Sequence, residues 1–175
     1  MKRKLSFILI VLLLLTGCSV ERSDFSSYIG KVINESLERT VVDYQNNHKK
    51  LYSYYLPVSM GKSESNSIST ILELSGYEII MNLNVENILS ERYYGHSVVS
   101  IEALLNRELI YSTNGKYQDF EDKEQSYYIY VNELDNGTSF IVLKTDHFTY
   151  LTNVDYLDIA AVLQQLFTVA RSTRI

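Results

Sequence analysis

Apolar residues recur along this chain in two rhythms. Over 24–48, Phe25, Ile29, Val32, Ile33, Leu37, Val41 and Tyr44 return every three or four positions. That spacing places them on one stripe of a helix, with Glu35, Glu38, Arg39, Asn46 and Asn47 mostly on the other side. Ser23 or Asp24 suits the N-cap, and Lys49 and Lys50 suit the negative end of the helix dipole. The stripe reads as a helix packed on a sheet. A coiled-coil partner helix is the alternative, since the stripe holds for about three heptads.

The period then drops to two. Tyr52, Tyr54, Leu56, Val58 and Met60 form one alternating run, Ile68, Thr70, Leu72 and Leu74 a second, and Tyr77, Ile79, Met81, Leu83 and Val85 a third. Alternation of this kind puts one strand face on a core and the other toward water. Ser75-Gly76 is a two-residue hairpin signal between the second and third runs, and 61–66 forms the looser connection between the first two. Residues 97–107 fit both periods and are read as a helix. Asn114-Gly115 predicts a turn between strands at 109–112 and 116–120. Tyr127, Ile129 and Val131 alternate again, and Asp135-Asn136-Gly137 turns the chain into 139–144. A closing helix over 154–172 follows, capped by Asn153 and apolar on most sides, as buried helices are. Together these elements predict an α+β fold: an antiparallel sheet of about five to seven strands packed by an N-terminal and a C-terminal helix.

Composition supports strands. Fifteen tyrosines stand beside no tryptophan, and seven glycines and one proline leave little for a long disordered stalk.

The first eighteen residues belong to neither rhythm. Lys2, Arg3 and Lys4 precede an apolar run over 5–15, and Leu15-Thr16-Gly17-Cys18 ends it. A basic start, an apolar stretch of about eleven residues and small residues after it form a secretory leader. The stretch is too short for a membrane-spanning helix, which needs about 20 residues. Leu-Thr-Gly-Cys resembles the lipobox of bacterial lipoproteins. The resemblance implies cleavage before Cys18, a diacylglycerol in thioether linkage on its sulfur, palmitate-type acylation, and anchorage on the extracytoplasmic face of the cell membrane. In a host with two membranes, Ser19 resembles the signal for the outer one. Tyr54-Tyr55-Leu56-Pro57 and Gly76-Tyr77-Glu78-Ile79-Ile80 are similar to segments of an uncharacterised group of small lipoproteins from Gram-positive Firmicutes, which implies no activity.

On this reading 1–17 is the signal peptide, 18–23 the lipidated cysteine with a short tether, and 24–175 one domain. Lys2, Arg3 and Lys4 leave with the leader. The 16 Lys and Arg fall to 13 against 21 Asp and Glu, and the net charge moves from −5 to −8. An acidic domain gains nothing from counterion release, so nucleic acid is excluded as a partner. Anionic headgroups repel it, so the acyl chains hold it to the membrane. The lone Cys18 leaves no internal disulfide.

Motifs for catalysis are weak. Ser59-Met60-Gly61-Lys62 has the Ser-x-x-Lys spacing of penicillin-recognising enzymes, but Lys144-Thr145-Asp146 lacks the glycine of their Lys-Thr-Gly motif. Gly61-Lys62-Ser63-Glu64-Ser65 lacks the second glycine of a nucleophile elbow. His48, His96 and His147 have no metal-pair spacing, and no metal or cofactor is expected. Asp119, Glu121, Asp122 and Glu124 lack the glycine of a calcium loop and read as a solvated loop. Exposed tyrosines make rigid, amphipathic contacts with glycans or proteins. Tyr93, Tyr94, Tyr128 and Tyr130 are the candidate binding residues. The function expected is a non-catalytic binding or accessory module of the cell envelope that contacts an envelope protein or glycan. A small envelope enzyme with a non-local Ser/His/Asp site, and a purely structural lipoprotein, are the alternatives.

Overall fold

In a computed structural model of the chain, which describes residues 22–84, 109–134 and 137–175, seven strands form one antiparallel sheet with two helices on one face. Helix α1 spans Arg22–Glu38. A two-stranded ribbon follows, β1 (Asn47–His48) with β2 (Ser53–Tyr54). The main sheet is built from β3 (Met60–Ser65), β4 (Ser69–Leu74), β5 (Tyr77–Leu83), β6 (Leu109–Gln118), β7 (Glu124–Glu133), β8 (Thr138–Thr145) and β9 (Phe148–Asp155). Its strand order is β3-β4-β5-β9-β8-β7-β6. A short 3-10 turn, Tyr156–Asp158, leads into helix α2 (Ile159–Arg171). The fold class is therefore α+β, as the two rhythms predict. The proposed helix over 97–107 lies outside the described residues.

The core lies between the sheet and the helices. Ile79, Met81, Ile129, Ile141, Leu143 and Tyr150 point from the strands onto Ile29, Ile33, Leu163, Leu166 and Phe167 of the helices, all of them buried. α2 is apolar on most sides because it packs on the sheet beneath and on α1 beside it. The two helices run the same way. Phe25, near the start of α1, stacks on Tyr156 just before α2 with ring centroids 4.5 Å apart. At the other end, Arg171 donates from Nη1 to the carbonyls of Ser36 and Arg39, each at 2.9 Å, and from Nε to the carbonyl of Gln118 at 3.2 Å. One buried guanidinium thus satisfies the carbonyls that end α1 and fixes them to the end of β6. Burial lowers the pKa of Arg171 from its usual value.

Several elements depart from the sequence reading. The helix expected over 24–48 stops at Glu38. Thr40-Val41-Val42 is a β-branched run of low helix propensity, and Arg171 takes the last carbonyls. His48 therefore lies in β1 rather than at a helix end, and Lys49 and Lys50 cap nothing.

The strand expected over 52–60 is confined to β2, and the connection expected over 61–66 is the edge strand β3. β3 exposes every residue after Met60, so it carries no apolar alternation to betray it. Asn114-Gly115 is not a turn. Both residues lie inside the continuous ten-residue β6, and Gly115 is opposite Tyr127 on β7. A Cβ on Gly115 would stand 2.7 Å from the Tyr127 hydroxyl oxygen, so the glycine makes room for a ring.

The real turn is at 119–123. Asp119, buried, accepts at Oδ1 from the backbone N–H groups of Glu121 and Lys123 at 2.8 and 2.9 Å. Its Oδ2 accepts from Gln125 Nε2 at 3.2 Å. The cluster is thus a solvated loop only in part: Asp119 is the buried residue that shapes the turn. The helix expected from 154 begins at Ile159, because β9 runs on to Asp155 and buries Val154 in the sheet.

Two hairpin signals hold. Ser75 and Gly76 have φ of 52° and 88°, the pair of positive angles a two-residue type I′ turn needs. Gly137 has φ of 79°, and Leu134 N–H donates to the Thr138 carbonyl at 2.9 Å to close the β7–β8 connection. Asp135 and Asn136 lie outside the described residues.

Candidate functional site

Strand alternation sends half of every strand to the face away from the helices. Register aligns Ile71, Ile80, Leu151, Val142 and Tyr130 in one row across β4, β5, β9, β8 and β7. A neighbouring row carries Asn82, Thr149, Lys144, Tyr128 and Asn114. Both helices pack on the opposite face, and none of the described helices lies over these rows. Val142 is buried at the middle of its row, Leu151 is half-buried, and Ile80 and Tyr128 are exposed, Tyr128 at 43%.

A groove of about 530 Å³ opens on this face toward the 75–76 turn, between Tyr77, Glu78, Ile80, Phe140, Leu151 and Asn153. Tyr77, in the phase of Ile79 and Met81, packs on the core side and is fixed there. The Tyr77 hydroxyl donates to Asp158 Oδ2 at 2.6 Å. That bond to a carboxylate pushes the Tyr77 pKa up to about 12, so the phenol stays protonated near neutral pH. Glu73 and Glu78 face each other across β4 and β5, a like-charged pair that adds negative potential beside the groove.

Of the four tyrosines singled out from the sequence, Tyr128 and Tyr130 sit two residues apart on β7 and point to this face, away from the two described helices. Tyr93 and Tyr94 lie outside the described residues, as does His96. The remaining tyrosines split. Tyr52, Tyr54 and Tyr127 are buried, with Tyr127 edge-on to Phe167 at 5.2 Å, so the Tyr-rich strands serve the core as much as the surface. Ser59 lies in the turn before β3, and Lys62 Nζ donates to Asn47 Oδ1 at 3.0 Å. His147 sits in the β8–β9 turn, where its backbone carbonyl accepts from Asn84 N–H at 2.7 Å. Among the described residues, no three His, Cys, Asp or Glu side chains gather as a metal cluster would.

Ile80, Phe140, Leu151 and the groove beside them were not singled out from the sequence. Their signal was present but ambiguous: an apolar residue on the outward phase of a strand, such as Ile80 between Ile79 and Met81. Chemically, the face offers apolar side chains, tyrosine rings, amide groups of Asn82 and Asn153, and an acidic rim. That set suits contact with a protein or glycan surface.

Comparison with known proteins finds no family model and no curated protein that matches this chain. No helix among the described residues is long and apolar enough to cross a membrane.

Proposed function

We propose that this chain is a lipid-anchored, extracytoplasmic lipoprotein whose domain is a non-catalytic binding or accessory module of the cell envelope. The observation that carries the reading is Leu15-Thr16-Gly17-Cys18, placed directly after a basic start and an apolar run too short to span a bilayer. A diacylglycerol on Cys18 holds the domain by its acyl chains, each buried methylene contributing about 0.8 kcal/mol. The position of α1, which begins at Arg22, supports a short tether. The sheet face away from the described helices, with exposed Tyr128 and Ile80 beside Tyr130, Leu151 and Phe140, supports contact with an envelope protein or glycan.

The test is metabolic labelling with a palmitate analogue in the native host, comparing the natural chain with Cys18→Ser. The natural chain incorporates label and sediments with membranes. Cys18→Ser incorporates none and accumulates as the uncut precursor. Equal labelling of both, or a natural chain found in the cytosol, overturns the reading.

A further inference from the structure

The sheet and both helices have a common base. α1 and α2 start there, β5 and β6 begin there, and β4 and β9 end there. Phe25 stacked on Tyr156 pins the start of α1 to this end. The two most exposed large apolar side chains among the described residues are Val58, at 99%, and Leu157, at 86%, and both belong to the base. Val58 sits on a turn closed by Met60 N–H donating to the Pro57 carbonyl at 2.9 Å, and Met60 pairs with Leu74 beside the 75–76 turn. Leu157 sits on the 3-10 turn directly after Tyr156. Leu109, also exposed, begins β6 at the same end, opposite Asn132 near the end of β7. Val58 and Leu157 thus mark the base near β3 and at the 3-10 turn, far more exposed than apolar residues of the far end such as Ile68 at 47%.

We propose that this base rests on the lipid surface, with Val58 and Leu157 entering the interface. The proposal builds on the anchor reading given above. From Cys18 to Arg22 the chain advances four residues, which at about 3.6 Å each reach no more than about 14 Å. The lipid and the start of α1 are therefore neighbours. α1 has 17 residues and a length of about 25 Å at 1.5 Å per residue. The far end, with the turns at 119–123 and 146–147, stands that much higher. Glu133, Asp155 and Asp158 lie near the base, so the contact is apolar rather than basic, and the acyl chains supply the hold. The sheet face away from the two described helices then stands upright on the membrane.

The test uses the full-length lipidated protein, purified from membranes and reconstituted into phosphatidylcholine vesicles. With the Cys18 sulfur in thioether linkage, an added cysteine is the one reactive thiol. Val58→Cys, Leu157→Cys and the far-end control Ser67→Cys are labelled with an environment-sensitive nitrobenzoxadiazole probe. All three sites are exposed, and circular dichroism checks each fold. Labels at 58 and 157 shift to the blue and lose about half their emission to lipid-borne quenchers, the response of side chains buried at the acyl boundary; the label at 67 does neither. A label at 67 quenched as strongly as those at the base, or base labels unshifted on floating vesicles, overturns the proposal while leaving the anchor intact. A chain that fails to float and has an unmodified Cys18 by mass spectrometry overturns the anchor reading, and this one with it.

Discussion

Gly115 and Tyr54 show how single positions decide local structure. Gly115 sits mid-strand, where its missing Cβ leaves space for the Tyr127 ring, and that ring in turn packs on Phe167. Gly115→Ala forces the ring out of place and costs about 1–3 kcal/mol, the usual penalty of overpacking. Urea unfolding followed by circular dichroism checks it, and an unchanged midpoint contradicts the account. Tyr54 is fully buried, and its hydroxyl makes no hydrogen bond of normal geometry among the described residues, while the nearby Thr70 hydroxyl bonds the Tyr52 hydroxyl at 3.0 Å. A buried hydroxyl without a partner is destabilising, so Tyr54→Phe raises the unfolding free energy by about 1 kcal/mol. A loss of stability in the same assay shows that the hydroxyl has a partner.

Elements were legible where burial was one-sided. β4, β5 and β7 bury alternate residues and read as strands from their apolar phase, and Ser75-Gly76 read as a hairpin from chemistry that tolerates positive φ. Elements whose boundaries depend on distant residues were not. β3 lies at the sheet edge and is exposed, so its polar sequence looks like a connection. β9 is central, and Val154 at its end looks like the first turn of the apolar helix that follows. α1 ends where it does because Arg171, 132 positions beyond Arg39, binds its last carbonyls. Arg171→Met removes three hydrogen bonds from a charged donor and lowers stability by about 3 kcal/mol. Hydrogen exchange locates the effect: protection falls first in the last turn of α1 and at the end of β6. A loss spread evenly over the sheet contradicts the role given to Arg171. Within the candidate site, the phase of Tyr128 and Tyr130 was legible, whereas the row through Ile80, Leu151 and Val142 depends on register between strands far apart in sequence.

The whole molecule has a tyrosine-rich core that resists ionisation. Burial pushes Tyr54 from the ordinary 10.0 up to about 12, and burial drives Tyr117 and Tyr150 upward as well. A folded-state pKa above the unfolded one gives stability that is complete below pH 10 and lost as pH rises toward 12. Alkaline titration therefore shows phenolate absorbance from the buried rings appearing together with loss of ellipticity in that window. Phenolate formed in full while the fold persists contradicts the burial of these rings.

At the same scale, the proposed leader, the lone Cys18 and the base of the fold combine in the proposal of a domain standing on a membrane. The most direct measurement is the mass of the N-terminal peptide from protein extracted out of native membranes. The account predicts a peptide that begins at Cys18 and carries a diacylglycerol on its sulfur. A peptide that begins at Met1, or a Cys18 with a free thiol, contradicts it.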